Sequence, residues 1–287
     1  MADLALLVLT LLWGTTFHFV KAVLAVASPG LFLAARFGIA AAVLGAAWLL
    51  RRDRPGPRLL RDGLMLGLFM LAGFALQTVG LRHTTPARSG FLTGLSVLVV
   101  PFIARFALAR RVRSASWGGV ALAVAGLALL ARPSGGALVP ATWLGDALTA
   151  LCAVAFALQI VFTSEWSPRH PLVPFVLTQV LVAFAGALLL VPLEGPFLRA
   201  AGAARFAGTA LFTGAAMTAA AFLVMNWAQR RTSAVRAALI FSLEPVAAAL
   251  FSHLYGGDPL APAEWAGGAL IVLGVVMGEV GSALEPA

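Results

Sequence analysis

Ten stretches of apolar residues, each close to the thickness of a bilayer, are set off along this chain by short runs of arginine, proline and glycine. A helix needs roughly 20 apolar residues to cross the hydrocarbon. On that ruler the predicted helices run from about 4 to 26, 30 to 50, 62 to 81, 86 to 108, 115 to 132, 144 to 164, 172 to 192, 207 to 228, 234 to 254 and 264 to 283. Their connections carry residues that stop helices, among them Ser28-Pro29-Gly30, Pro55-Gly56-Pro57, Pro133-Ser134-Gly135-Gly136, Gly195-Pro196 and Gly256-Gly257-Asp258-Pro259. The pattern predicts an all-α, polytopic membrane protein of ten transmembrane helices.

The second half of the chain restates the first at a spacing of 148 positions. Arg82-His83-Thr84-Thr85-Pro86-Ala87-Arg88 returns as Arg230-Arg231-Thr232-Ser233-Ala234-Val235-Arg236, and Leu95, Trp117, Gly119 and Gly126 meet Leu243, Trp265, Gly267 and Gly274. Five crossings per copy is an odd number, so the second copy enters the membrane inverted. Residues 1–135 read as one five-helix repeat and 136–287 as the other, together forming one compact membrane domain. Inverted repeats are the sequence mark of carriers that alternate access around a midplane site.

Composition agrees with a membrane setting. At 61% apolar and 11% charged residues, with a mean hydropathy of +0.97 over 287 residues, the chain has too little polar surface to cover a soluble globule. The net charge of +9 rests almost wholly on arginine, Lys21 being the only lysine. Those arginines cluster between apolar spans, as in Arg51 to Arg61 and Arg105 to Arg113, which is how cytoplasmic loops read; a nucleic-acid partner is not expected. With Arg169, Arg230 and Arg231 added to the same side, both termini are expected in the cytoplasm. Ala25-Val26-Ala27 imitates a signal-peptidase site, but Asp3 stands where a signal peptide carries positive charge, and the repeat requires this helix. The lone cysteine, Cys152, lies inside an apolar run and reads as a packing residue. Twenty-nine glycines supply the close helix contacts that lipid surroundings demand.

Ionisable and amide side chains at membrane depth cost a few kcal/mol by insertion scales, so each needs a partner or a wet cavity. His18 and Lys21 share a face of the first helix, with Trp13 and Phe17 continuing the Lys21 row; Lys21 either snorkels outward or takes part in a site. Arg36, Arg88 and Arg236 stand near the starts of helices two, four and nine and read as structural charges that hold carbonyl ends of neighbouring helices. Glu244 is the only acid deep in a span, and Pro245 beside it removes an amide donor. It can bind a cation or a substrate amine, or lock helix nine to a neighbour. Gln77, Gln159, Gln179 and Asn226 add amides from further helices. Trp13, His18, Gln77, Gln159, Asn226 and Glu244 are the expected lining of a solute cavity between the halves.

The chain resembles the ten-helix drug/metabolite transporter superfamily, and within it proteins with two copies of the EamA domain. The resemblance is carried by Trp13-Gly14, Arg36-Phe37, the run Arg88-Ser89-Gly90-Phe91-Leu92-Thr93-Gly94-Leu95, Leu243-Glu244-Pro245-Val246, and Trp265-Ala266-Gly267 through Gly274. It departs where the family often has Gly-Glu before the last helix and this chain has Gly257-Asp258. The resemblance implies a carrier of the cell inner membrane that exports amino acids or related metabolites; a proton or another ion is a candidate coupling partner, with uniport the alternative. A monomer is expected, without cofactor or metal. Two other classes compete. A membrane enzyme acting on a lipid-linked substrate would need paired carboxylates or a histidine with a nucleophile, and neither pattern appears near Glu244. A channel or a non-transporting scaffold would lack saturable flux. No Gly-x-x-x-x-Gly-Lys motif offers direct ATP drive.

Overall fold

The computed structural model describes residues 1–51, 53–130, 143–256 and 260–284; the expected junction between the halves near 135 and the Gly257-Asp258 turn lie outside the described residues. The helices are α1 (Ala2–Leu24), α2 (Pro29–Arg51), α3 (Leu59–His83), α4 (Pro86–Gly94), α5 (Ser96–Phe106), α6 (Ser114–Leu130), α7 (Trp143–Trp166) and α8 (Leu172–Leu190). They continue with α9 (Ala203–Leu211), a π-helical stretch at Phe212–Ala220, α10 (Ala221–Gln229), α11 (Ala234–Phe241), α12 (Glu244–Gly256) and α13 (Pro262–Leu284). Among the described residues the only β pairing is a single antiparallel bridge between Ala27 and Leu198. Eight helical segments are long and apolar enough to cross a membrane, and Ser114–Leu130 and Pro262–Gly278 are shorter apolar helices.

Three of the expected helices are interrupted. The segment expected at 86–108 breaks at Leu95 into α4 and α5, and the one expected at 234–254 breaks at Ser242 and Leu243 into α11 and α12. Leu95 and Leu243 are the pair that the repeat had already matched. Pro245 explains the second break, because it cannot donate to the carbonyl one turn back and its ring crowds that carbonyl. Leu95 and Leu243 instead make tighter bonds, to Leu92 O at 3.2 Å and Ile240 O at 3.1 Å. Both broken segments also start alike, with the Thr85 hydroxyl accepting from Arg88 N and the Ser233 hydroxyl from Arg236 N, each 3.2 Å. The third interruption is the π-helical stretch within the segment expected at 207–228.

The surface inverts the rule for a soluble protein. Leu49, Leu50, Leu60, Phe106, Trp143 and Leu189 are among many large apolar residues left exposed, whereas Arg36, Asp62, Gln159, Gln179, Asn226 and Gln229 are buried. An apolar outside and a polar inside suit a solvent of lipid tails. Helices approach through glycine. A Cβ on Gly119 would lie 2.5 Å from Gly274 O, and one on Gly126 would lie 2.5 Å from Gly267 O, so α6 and α13 cross antiparallel in backbone contact. α3 is held between two neighbours, turning Gly73 and Gly80 to Phe156 and Thr149 of α7, and Gly63 and Gly67 to Thr178 and Val182 of α8.

Candidate functional site

A central cavity opens where α1, α2, α3, α4, α7, α10 and the α11–α12 break converge, with room of about 80 Å³ for the centres of water-sized molecules. One water needs roughly 10–15 Å³ on this measure, so the space holds several waters or part of a small solute. α1 contributes Trp13, Thr16, Phe17 and Val20, a stripe at helical spacing. Phe74, Phe156, Phe222 and Phe241 make much of the remaining wall apolar.

Charge enters from two sides. Arg36 on α2 is 4% exposed; its Nε donates to Thr218 Oγ1 at 2.8 Å and its guanidinium lies 4.3 Å from the centre of the Phe74 ring. Glu244, the first residue of α12, lines the same cavity and lies within Coulombic reach of Arg36. No ion pair joins the two among the described residues, and both side chains border the space. The π-helical stretch supplies partners for this wall: Met217 O accepts from Trp13 Nε1 at 3.0 Å, and Thr218 Oγ1, which holds Arg36, in turn donates to Thr213 O at 2.8 Å. Such stretches recur at functional sites because they turn backbone carbonyls and side chains out of the regular ladder.

A relay of amides forms the third element. Asn226 Nδ2 donates to Phe222 O at 2.9 Å, Asn226 Oδ1 accepts from Gln179 Nε2 at 3.4 Å, and Gln179 Oε1 accepts from Gln159 Nε2 at 3.0 Å. A backbone carbonyl can only accept, so it fixes the direction of all three amides. The relay ends at Gln159 Oε1, a buried oxygen with no hydrogen-bond partner, on a residue that lines the cavity. An unpaired buried acceptor at a cavity wall asks for a donor from whatever occupies the cavity. On the opposite side Gln77 Nε2 donates to Thr93 Oγ1 at 3.1 Å, and Thr93 Oγ1 meets Cys152 Sγ at 3.4 Å.

Of the six residues expected to line a solute cavity, Trp13, Gln77, Gln159 and Glu244 border this one. Asn226 stands behind the wall, in the relay, and His18 packs against Phe251 with ring centres 5.8 Å apart. Arg36, grouped in the sequence with the structural charges, also borders the cavity. Arg88 and Arg236 form ion pairs at helix ends, Arg88 with Asp146 at the start of α7 and Arg236 with Asp3 at the start of α1, the latter at 3.0 Å. Lys21 Nζ reaches Leu81 O at 2.6 Å and Thr84 O at 2.8 Å, closing the carbonyl end of α3. Gln179, a link in the relay, was visible in the sequence only as one more intramembrane amide. Among the described residues no three His, Cys, Asp or Glu side chains gather as a metal site.

The chain is similar to known proteins along almost its whole length. The model of the EamA-like transporter family matches residues 1–132 and again 143–278. An uncharacterized transporter of Archaeoglobus fulgidus is 31% identical over 282 residues, covering 96% of this chain and 85% of that protein. The uncharacterized inner membrane transporter YedA of Escherichia coli is 28% identical over 301 residues, covering 99% and 92%. A crystal structure at 25% identity superposes with a TM-score of 0.78, covering all of this chain and 98% of the other.

Proposed function

The chain belongs to the EamA-like transporter family, and from that membership we propose that it exports a small zwitterionic solute, an amino acid or a related metabolite, through the Arg36–Glu244 cavity. It is a multi-pass membrane protein of a transporter family. The carrying observation is that a fixed cation and an acid border one aromatic cavity without pairing to each other. A zwitterion satisfies both at once: its carboxylate meets the Arg36 fork, its ammonium meets Glu244, and an N–H can reach Gln159 Oε1. Phe74, Phe156, Phe222 and Phe241 suit an apolar side chain, and Glu244 can exchange the ammonium for a proton between cycles.

We place this cavity between two inverted repeats in the inner membrane, with ten crossings and both termini inside. The glycine register supports that reading. Gly119 and Gly126 are matched in the repeat with Gly267 and Gly274, yet each touches its partner's counterpart, Gly119 against Gly274 and Gly126 against Gly267. A two-fold axis between antiparallel α6 and α13 produces this crossed pairing. The ion pairs follow the same rule, since Arg88 and Arg236 are repeat mates and each binds an acid at the start of the other half's first helix. Rocking one half against the other would part these contacts at one end at a time.

Thermal unfolding of the purified protein tests the substrate class, because a ligand that binds only the folded state raises the melting temperature. A neutral amino acid should stabilise the protein, and its amide and its decarboxylated amine should each stabilise it less. Equal stabilisation by all three, or none, would contradict a site that reads both charges.

A further inference from the structure

A second and larger basin lies at the end of the bundle where α5, α7 and α10 finish, with about 770 Å³ of room. Six arginines border it: Arg110, Arg111 and Arg113 before α6, and Arg230, Arg231 and Arg236 about the start of α11. Among the described residues the acid on its wall is Glu165, already bound by Arg110 at 2.9 Å and by Arg169, while Arg236 is bound by Asp3 at 3.0 Å. Keeping a loop in the cytoplasm explains the presence of arginines but not their convergence on one hollow. It also leaves unexplained the neutral groups between them. Ser164 Oγ and Thr232 Oγ1 are buried on this wall without a hydrogen-bond partner, as is Oε1 of Gln229, a residue 1% exposed. Buried hydroxyls left unpaired beside cations ask for a ligand rich in acceptor oxygens. Arg230 donates to Ser167 Oγ at 3.1 Å and to His170 O at 2.8 Å, so it is held in place by neutral groups, and burial beside Arg231 pushes its guanidinium below the usual arginine range. An anion in the basin would reverse that effect.

We propose that this basin binds a phosphate group, presented by the headgroup of an anionic phospholipid or by free phosphate. Arginine forks match phosphate oxygens, and the Ser164 and Thr232 hydroxyls supply further donors. The Gln229 oxygen accepts, which suits a hydroxyl such as the glycerol of phosphatidylglycerol. The site is separate from the central cavity and does not depend on what that cavity carries. Arg111, exposed and with no hydrogen bond or ion pair among the described residues, is the cation most ready to meet the ligand.

Melting temperatures of the full chain test the proposal in two arms. In neutral detergent, sodium phosphate is titrated at ionic strength held constant with sodium chloride. In nanodiscs, phosphatidylcholine alone is compared with phosphatidylcholine containing one fifth phosphatidylglycerol. Arg111→Gln and Thr232→Val are set beside Arg199→Gln, an equal change of charge on another exposed arginine outside the basin. Occupation should raise the melting temperature of the unaltered protein and of Arg199→Gln by about 2–4 °C. The rise should fall by at least half in Arg111→Gln and in Thr232→Val, each measured against its own unliganded value. A rise with phosphatidylglycerol alone assigns the site to a headgroup, and a rise in both arms shows that the free anion suffices. No rise in either arm, or the same rise in all four proteins, would overturn the proposal.

Discussion

Arg36 and Glu244 set the energetics of the cavity through the cost of leaving either one alone. A charge held away from bulk water is tolerated while its opposite stands nearby and becomes costly when that opposite is removed. Arg36→Met and Glu244→Gln should each lower stability by about 1–3 kcal/mol. The double variant should be more stable than the sum of the two losses by about 0.5–3 kcal/mol, the range seen for coupled neighbours. Thermal unfolding of the four proteins measures this, and strict additivity would mean the two charges do not feel each other. The relay makes a separate claim. Asn226 does not touch the cavity, yet Asn226→Leu should cost about 1–3 kcal/mol by stranding the Gln179 amide, and should weaken ligand affinity by loosening Gln159. An unchanged affinity, read by ligand titration, would show that Gln159 keeps its place unaided. The sequence makes Trp13, Gln77, Gln159 and Glu244 visible because polarity inside an apolar run is conspicuous. That signal carries no rotational information. His18 is as conspicuous as any, but it sits one residue past Phe17, about 100° around α1, and so turns to Phe251. Arg36 gave the same signal as Arg88 and Arg236, and only tertiary contact separates a residue on a cavity wall from one at a helix end.

The elements obey a length rule that the apolar pattern reads well and a continuity rule that it does not. Counting apolar residues finds each long segment but merges α4 with α5 and α11 with α12. Pro245 announces the second break; the first has no proline at the matching position, since Pro101 lies beyond it, inside α5. The π-helical stretch at Phe212–Ala220 has no marker residue at all, although it supplies the partners of Trp13 and Arg36. Close approach between elements is more legible, because it requires glycine. A Cβ on Gly14 of α1 would meet Glu244 O at 2.7 Å and Ala248 N at 2.8 Å, both backbone atoms of α12 that cannot turn aside. Gly14→Ala should therefore push α12 away, displace Glu244 and lower stability by about 1–3 kcal/mol, the cost of overpacking. Gly45, in the interior of α2, has nothing within 4 Å of the same position. There Gly45→Ala should be neutral or stabilise by up to about 1 kcal/mol, the helix propensity difference. Melting temperatures of the two variants that moved in the same direction would contradict the close crossing of α1 and α12.

At the scale of the whole molecule, the proposed topology is a statement of parity. If α6 crosses despite its length, Gly56 follows two crossings and Gly195 follows seven, so the two lie on opposite faces of the membrane. Cysteines at Gly56 and Gly195 on a Cys152→Ala background should then be labelled by an impermeant reagent from opposite sides of sealed vesicles. Labelling from the same side would mean that α6 does not span. The ion pairs of Arg88 and Arg236 are partly exposed, and such pairs contribute about 0–1 kcal/mol, so their value to the fold is small beside that of the helix contacts. Transport through the Arg36–Glu244 cavity is tested most directly in proteoliposomes, by counterflow of a panel of labelled neutral amino acids with the unaltered protein and with folded Arg36→Met and Glu244→Gln variants. The expected result is saturable exchange of at least one of these solutes, reduced at least tenfold in both variants. Saturable exchange that survives both substitutions, or its absence for every amino acid tested with the unaltered protein, would contradict the account.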